Sequence, residues 1–322
     1  METADLTNPI FTDETAAREY LEAQRWPDAV SCPHCGSLDK ITKMAGQSHR
    51  PGLYLCGDCR GNFTVTVGTV YERSKIPLNK WLLATHLLCA GKKGTSAHQL
   101  HRMLGITYKS AWFMAHRIRE AMMPGSNEPM GGAGEVVEAD ETYFGDLPAH
   151  NAGSKRHGRK NVQKRGPSYK RAILSLVERG GEARSFYVEN APIEKVVEIV
   201  RANVAKESSL HTDESYLYKT VGGEFAAHET VVHSKKEYAR NGVTTNTVEG
   251  FYSIFKRGMK GVYQHCDERH LHRYLAEFDF RYSNCAKLGV TDKACAEKAI
   301  KGIVGKRLTY RRINEREAPA VG

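Results

Sequence analysis

The sequence lacks the features that would place a protein in a membrane or direct it out of the cell. No uninterrupted apolar run approaches the ~20 residues that a membrane-spanning helix needs. The N-terminal stretch METADLTNPI is acidic and has no basic segment followed by an apolar one, so it does not resemble an export signal. We therefore expect a soluble protein that stays in the cytoplasm.

Cysteine is also sparse for a chain of this length. The 322 residues include eight cysteines, and a secreted disulfide framework would need denser spacing in a smaller chain. A chain of this size has room for two or three ordinary domains. Four cysteines are scattered and are expected to be reduced packing residues: Cys89, Cys266, Cys285 and Cys295.

Acidic residues are outnumbered by basic ones. Asp and Glu total 37 against 47 Lys and Arg, which gives a formal charge of +10. Such an excess suggests a polyanionic partner, with nucleic acid ahead of an acidic membrane surface. A merely basic enzyme would show the same total, so the positions of the charges have to decide.

The remaining four cysteines form two close pairs. Cys32 and Cys35 stand in CPHCG and Cys56 and Cys59 in CGDCR, with twenty residues between the pairs. Four thiolates at this spacing complete a closed tetrahedral Zn²⁺ site, which is typical of the structural zinc of a zinc ribbon. The following FTVTVGTV alternates apolar and polar residues and predicts a strand. We expect an N-terminal helix and a zinc ribbon over residues 1–75.

Residues 76–125 follow a helical pattern. The segment GTSAHQLHRMLGITYKSAWFMAHRIREAM predicts two helices, capped by Thr95 or Ser96 and by Thr107, with Gly105 ending the first. Two helices joined by a short glycine-containing turn match the helix-turn-helix layout, although a plain helical bundle explains the pattern about equally well. Beside a zinc ribbon in a basic chain, DNA binding is favoured. The contacts would come from Tyr108, Lys109, Arg117 or Arg119 of the second helix.

A linker rich in Gly and Pro over residues 126–134 precedes alternating strand and helix patterns. Three strand-like runs are followed by a helix, a strand, a helix, a strand and a final helix. This order is α/β and predicts an RNase H-like mixed sheet over residues 135–290. A basic helix and tail are expected over residues 291–322.

Three carboxylates recur at structured positions in this segment. Asp140 lies on the first strand, Asp213 at the end of the fourth, and Glu249 on the helix after the fifth. Carboxylates converging from two strands and a helix can hold two Mg²⁺ or Mn²⁺ ions, which bracket an in-line attack on phosphorus. Glu141 and Glu214 are expected to be bystanders, because strand alternation turns Glu141 to the face opposite Asp140.

The helix that carries Glu249 is contained in TTNTVEGFYSIFKRGMKG. At ~100° per residue, Lys256 and Lys260 follow Glu249 along the helix and are expected to contact phosphate, and Asn246, one turn earlier, is a possible helper. The apolar stripe beside Glu249 predicts core packing and consists of Val248, Phe251, Tyr252, Phe255 and Met259.

These motifs resemble those of a known group. The paired cysteines, ADETYFG, HTDESYLY and NTVEGFYSIFKRGMKG make the chain similar to bacterial insertion-sequence transposases of the DDE type. The resemblance implies Asp140, Asp213 and Glu249 as catalytic residues, cleavage at element ends and transfer of a 3′-hydroxyl into target DNA. It also implies double-stranded DNA partners (terminal inverted repeats and target), a homodimer or higher multimer on DNA, and a nucleoid location.

Two alternatives remain open on the residues alone. An RNase H-like nuclease or resolvase would share the metal chemistry without strand transfer. A retired transposase acting as a DNA-binding regulator would use only the ribbon and the helix-turn-helix. Three placed acids argue against the regulator, because a binding module does not need them.

A basic segment follows the first predicted strand. KRHGRKNVQKRGPSYKR, residues 155–171, contains eight Lys or Arg and no acidic residue. Such a run is often only a solvated loop, but its position beside a catalytic strand favours contact with the phosphate backbone. The residues expected to make that contact are Lys155, Arg156, Arg159 and Lys160.

Neutralising these four residues together should weaken DNA binding without changing sequence preference. Each lost phosphate contact should lower the magnitude of the log K versus log salt slope by ~0.9. Fluorescence anisotropy over a range of salt concentrations, with an element-end duplex and an unrelated duplex, measures both effects. An unchanged slope would mean that the segment is a solvated spacer.

Overall fold

The computed structural model describes residues 6–46, 48–125, 128–146, 170–189, 191–232, 239–240 and 242–309. The chain divides into two compact units, the first formed by Met1–Met123 with Thr291–Gly322 and the second by Pro124–Val290. Across the described ranges, none of the helices combines the length and the apolar character needed to cross a membrane.

The first unit begins with a helix and a small antiparallel sheet. They are α1 (Glu14–Arg25) and strands β1 (Ile41–Lys43), β2 (Tyr54–Cys56) and β3 (Asn62–Phe63), in the order β1-β2-β3. The rings of Tyr54 and Phe63 stack with centroids 5.6 Å apart, and Trp26, directly after α1, meets both edge-on. These aromatic side chains give the short sheet an apolar side against the end of α1.

The strand predicted for FTVTVGTV ends after its first residue. β3 stops at Phe63, and the next residues form turns. Arg25, the last residue of α1, donates hydrogen bonds to the carbonyls of Val65 (2.5 Å) and Val67 (2.7 Å). The strand prediction is therefore wrong beyond Phe63, because a side chain from α1 takes the acceptors that a neighbouring strand would need.

Four further helices complete the first unit: α2 (Leu78–Ala90), α3 (Ala97–Leu104), α4 (Tyr108–Met122) and α9 (Asp292–Lys301). Ser96 caps α3 by accepting a hydrogen bond from Gln99 N, and Thr107 caps α4 by accepting one from Ser110 N. Gly105 ends α3 in the left-handed conformation, with φ at 60°. The predicted pair of helices joined by a glycine turn is confirmed.

The predicted DNA contact by Arg117 is wrong. Arg117 is 6% exposed, donates a hydrogen bond to Glu72 O at 2.6 Å and lies over the Trp81 ring. Burial lowers the pKa of this guanidinium. Arg119 is also buried. Because α4 packs against α2, α3 and α9 together, its buried surface is wider than a single apolar seam. Lys109, on the first turn of α4, is exposed.

The second unit contains a mixed sheet. Its helices and strands are β4 (Val136–Asp146), β5 (Lys170–Glu178), β6 (Ala183–Val188), α5 (Ile193–Asn203), β7 (Ser209–Thr212), α6 (Lys219–Gly222), β8 (Ala227–Thr230), β9 (Ala239–Arg240), β10 (Val243–Thr244), α7 (Asn246–Gly258) and α8 (Glu268–Ser283). The five-stranded sheet has the order β6-β5-β4-β7-β8. β7 runs parallel to both β4 and β8, and the β4–β5 and β5–β6 pairs are antiparallel. The predicted RNase H-like α/β fold is confirmed.

The central strand β4 is covered on both faces. One face carries Val137 and Ala139 in a core with α5, while Ile173 and Val177 of β5 lie in a second core with α7 and α8. The predicted apolar stripe of α7 is confirmed, since all five of its residues are buried in that second core. Met130, which lies within the expected linker, is buried and bridges Val204. The packed unit therefore begins before β4.

A buried carboxyl group joins α8 to the edge strand β6. Asp279 accepts hydrogen bonds from Ser185 N at 2.8 Å and from Ser185 Oγ at 2.6 Å. Burial raises the pKa of Asp279 to about 8. The native state therefore binds this proton more tightly than the unfolded chain, where an Asp pKa is about 3.9.

The stability of the second unit should consequently fall as the pH rises. The contribution of Asp279 is complete below the unfolded pKa and is lost as the pH passes through about 8. Urea unfolding between pH 5 and 9 should show a smaller loss of unfolding free energy in Asp279→Asn than in wild type. Glu198→Gln, on an exposed pair with Lys195, is the control and should parallel wild type. Parallel curves for all three proteins would contradict the prediction.

Candidate active site

The four paired cysteines meet in one cluster. Cys32 Sγ lies 3.7 Å from Cys59 Sγ, Cys35 Sγ lies 3.7 Å from Cys56 Sγ, and all four sulfur atoms are within 4.8 Å of one another. Zinc–sulfur bonds of ≈ 2.3 Å in a tetrahedron put the sulfur atoms about 3.8 Å apart. The donor set therefore fits one structural Zn²⁺ with no open coordination position.

Glycines allow the chain to turn tightly around this cluster. Gly36, directly after Cys35, has φ at 77°, a conformation that L side chains rarely adopt. A Cβ on Gly61 would lie 3.2 Å from Cys59 Sγ and 3.0 Å from His34 Cδ2. The spacing of the cysteines and the glycines beside them are thus two parts of one local structure.

Removing one sulfur ligand should abolish zinc binding. Cys56→Ser should lower the zinc content from one per chain to near zero and unfold residues 30–70, because structural zinc contributes ~10–16 kcal/mol of apparent binding free energy in small peptides. Elemental analysis and hydrogen exchange measure both effects. Cys285→Ser is the matched control and should retain the metal. If freshly purified wild-type protein contained no zinc, the assignment would be wrong.

The predicted catalytic carboxylates lie on neighbouring elements. Ala139 of β4 pairs with Thr212 of the parallel strand β7. Asp140 and Asp213 each follow directly after these paired residues, so they lie next to each other at the same edge of the sheet. Glu249 lies in the first turn of α7, which packs on β4 and β5. The sheet thus brings two aspartates side by side, and α7 supplies the third carboxylate.

The carboxylates interact electrostatically at Asp140. Burial, together with the charges of Glu141, Asp213 and Glu249, raises the pKa of Asp140 to about 7. Among the described residues, only the cysteines bring three or more ligand atoms within 4.8 Å of one another. Two ions ~3.5–4 Å apart do not require closer carboxylates, because each ion takes only one or two. An all-carboxylate donor set suits Mg²⁺ or Mn²⁺.

Each carboxylate is oriented by a local hydrogen bond. Asp213 Oδ1 accepts one from Ser215 N at 2.9 Å, and Glu249 Oε1 accepts one from Thr245 Oγ1 at 3.1 Å. Asp140 Oδ1 accepts one from the next backbone amide at 2.8 Å. These hydrogen bonds to residues nearby in the sequence orient the three carboxylates.

Glu141 faces away from Asp140 but is not remote from the site. It pairs in register with Leu174, which lies in the core on the α5 side of the sheet. Burial raises the pKa of Glu141 to about 7, and the charge of Asp213 raises it as well. Its own charge contributes to the raised pKa of Asp140. Glu141 therefore lies on the face of the sheet opposite Asp140, as predicted, but its charge still acts on Asp140. Glu214 is exposed.

Basic side chains stand beside the carboxylates. Lys256 is half-buried; burial lowers its pKa, the charge of Asp140 raises it, and the charges of Lys260 and Lys170 lower it. Lys256 therefore interacts with the charge of Asp140 and with the positive charges of the other two lysines. Lys170, the first residue of β5, was not singled out from the sequence. Asn246 is exposed at the start of α7.

Two exposed tyrosines flank the same edge. Tyr143 is 39% and Tyr216 is 64% exposed, although both follow structured motifs. Burial raises the pKa of Tyr143, and the charges of Glu141, Tyr216, Asp140 and Asp213 add to that rise. The sequence carries a signal for these two residues, because DETY and DESY each place a tyrosine three residues after a candidate aspartate.

Four predicted DNA contacts lie outside the described residues: Lys155, Arg156, Arg159 and Lys160. Of the other four, Lys256 interacts with Asp140, and Lys260 is exposed and interacts with Lys256. Lys109 is exposed in the first unit, and Arg117 is buried. Of the eight predicted DNA contacts, Lys256 is therefore the one whose charge interacts with that of a candidate carboxylate, Asp140, among the described residues.

Two segments of the chain match known protein families. Residues 12–62 match the transposase zinc-ribbon domain. Residues 132–283, which span β4 to α8, match the ISXO2-like transposase domain. The chain is therefore similar to insertion-sequence transposases in both segments, with a zinc ribbon preceding an ISXO2-like transposase domain.

A relative supports this assignment over most of the chain. The uncharacterized protein in transposable element ISH50 of Halobacterium salinarum is 28% identical over 281 residues. The matched region covers 84% of this chain and 91% of the relative. The similarity therefore extends over most of both sequences.

Proposed function

We propose that this protein is a DDE transposase that cleaves DNA at the ends of its element and joins the released 3′-hydroxyl to target DNA. The observation that carries the proposal is the placement of Asp140 and Asp213 on adjacent strands, with Glu249 on the helix packed against β4. The charges of Asp213 and Glu249 both act on the pKa of Asp140. Their elements lie within the region matched by the transposase domain. The similarity to transposase domains supports a transposase, and the carboxylates would supply its chemistry.

The roles of the residues follow from their chemistry. Asp140, Asp213 and Glu249 would hold two Mg²⁺ or Mn²⁺ ions. The ions would activate the attacking oxygen and stabilise the leaving one. Lys256 and Lys260 would bind phosphates of the DNA as it leaves the cluster, since an ammonium acts as a point charge on phosphate. The zinc has no reactive position and would keep the ribbon folded.

The proposed partners are double-stranded terminal inverted repeats and target DNA, bound by a homodimer or a higher multimer. The exposed Lys109 in the first unit and the basic segment of residues 155–171 would add phosphate contacts. Such partners would keep the protein at the bacterial nucleoid. The charge of +10 supports a polyanionic partner of this kind.

One experiment separates this proposal from its alternatives. Purified protein receives Mg²⁺ or Mn²⁺, a labelled duplex from the element end, and a plasmid target. Joined product supports the transposase, cleavage without joining supports a nuclease or resolvase, and binding alone supports a regulator. A pre-cleaved end with a free 3′-hydroxyl tests the joining step by itself.

Substitution of the carboxylates should remove chemistry and spare DNA binding. Asp140→Asn, Asp213→Asn and Glu249→Gln keep the side-chain shape but remove negative charge at the metals. Each should reduce joining by more than the ~10–100-fold that is typical of residues outside the direct ligands. Combining two substitutions should cost little more than one, because the three residues act as a unit.

The control is the exposed neighbour of one ligand. Glu214→Gln removes the same charge one residue from Asp213 and should retain activity. Glu141→Gln is not a neutral control, because Glu141 contributes to the pKa of Asp140. If Glu249→Gln remained active while Glu214→Gln were inactive, the ligand assignment would be wrong even with the fold correct.

A further inference from the structure

Arg179, in the turn between β5 and β6, ties several chain segments together. Its Nε donates to Glu138 Oε1 at 2.7 Å and its Nη1 to Gly242 O at 2.9 Å. Its Nη2 donates to Thr244 O at 3.0 Å and to His211 Nδ1 at 3.1 Å. One guanidinium therefore connects β4, β7 and the segment that leads into α7.

Glu138 of β4 extends this network to the start of α7. Its carboxylate is 0% exposed, with Oε2 accepting from Thr247 N at 2.8 Å and from Val248 N at 3.0 Å. Its Oε1 accepts from Thr247 Oγ1 at 2.9 Å. Thr245, the N-cap residue, makes no side-chain capping bond. Glu138 thus satisfies the first amides of α7 in place of a local cap, and its charge suits the positive end of the helix.

Three residues that the network contacts stand one or two positions along the chain from a candidate metal ligand. Glu138 is two residues before Asp140, and His211 is two residues before Asp213, so each pair shares a face of the sheet. Val248, whose amide Glu138 binds, directly precedes Glu249.

We propose that Glu138 and Arg179 are positioning residues that set the distance between Glu249 and the two aspartates. This inference rests on the proposed function. Neither residue acts on DNA or on the metals in this role; both act through the elements that carry the ligands. A misplacement of about 1 Å at a reacting centre can cost ~10²-fold in rate, so a fixed helix start has a direct catalytic consequence.

The geometry explains why a charged pair serves better than apolar packing here. An apolar contact has no preferred direction and would allow α7 to shift, whereas Glu138 accepts directional hydrogen bonds from two successive backbone amides. Arg179 has a side-chain exposure of 29% and a planar fork that reaches four acceptors, which a lysine ammonium cannot reproduce. The full set of bonds also satisfies the buried carboxylate, which would otherwise be costly.

The test uses the full chain and two readouts, Mn²⁺ binding measured by electron paramagnetic resonance without DNA, and strand transfer at saturating DNA. Glu138→Gln removes one acceptor from the network. We expect ~10-fold weaker Mn²⁺ binding and ~10–100-fold slower joining, with unchanged DNA affinity and zinc content. A high Mn²⁺ concentration should recover part of the lost rate, which a purely structural defect would not allow.

The matched controls come from a surface ion pair in the same unit. Arg201 donates to Glu224 through Nε at 2.8 Å, and both side chains are partly exposed. Glu224→Gln and Arg201→Lys make the same chemical changes and should behave as wild type. Arg179→Lys is the second test variant, since its position at a turn leaves the core intact, and it should weaken Mn²⁺ binding in the same direction.

The outcomes separate the two levels of the argument. If wild type neither binds Mn²⁺ nor joins DNA, the proposed function fails. If wild type is active and Asp140→Asn is inactive, but Glu138→Gln and Arg179→Lys match wild type, only the positioning role is overturned. Should Glu138→Gln fail to fold, Arg179→Lys decides: wild-type Mn²⁺ affinity in that variant overturns the inference.

Discussion

Three carboxylates remain close together only if the fold holds them against their mutual repulsion, and the second unit is organised around this constraint. Burial, with the charges of Glu141, Asp213 and Glu249, raises the pKa of Asp140 to about 7. Apolar packing of α7 offsets this cost, because all five stripe residues are at most 4% exposed. Each fully buried large apolar side chain contributes ~1.5–3 kcal/mol. Glu249 is thus positioned by the apolar stripe that lies beside it on the same helix.

The strand register imposes the second half of the constraint. Asp140 and Asp213 are adjacent only because Ala139 pairs with Thr212. A slip of one residue would turn Asp140 to the α5 face and bring Ala139 towards α7. Burial of β4 on both faces resists such a slip, since Ala139 and Glu138 each have a specific partner surface. The sheet therefore holds the two aspartates through backbone pairing, and α7 holds the glutamate through side chains.

Patterns that depend on local geometry were predictable from the sequence. Cysteine spacing, helix caps, the stripe of α7 and the order of strands all follow from periodicities of a few residues. The failures have tertiary causes. Arg117 is buried because three helices surround α4, and the strand after Phe63 is lost because Arg25 takes its carbonyls. The closeness of Glu141 to the cluster was missed because alternation gives a side chain's face but not its distance from a charge.

Glu138 is a residue whose unusual position was already visible in the sequence. In VVEADETY, strand alternation puts Glu138 on the same face as Asp140, against the apolar stripe of α7. A charge at such a position breaks the expected apolar pattern of a buried strand, and natural chains retain such a break where function requires it. The partners that stabilise this buried carboxylate could not be predicted from the sequence. Arg179 and Thr247 are distant in the chain, and only the fold brings them to Glu138. A second acidic residue on the buried face of a strand that carries a candidate ligand therefore indicates a positioning group. In this fold its partners lie in the turn after the neighbouring strand β5 and at the start of α7.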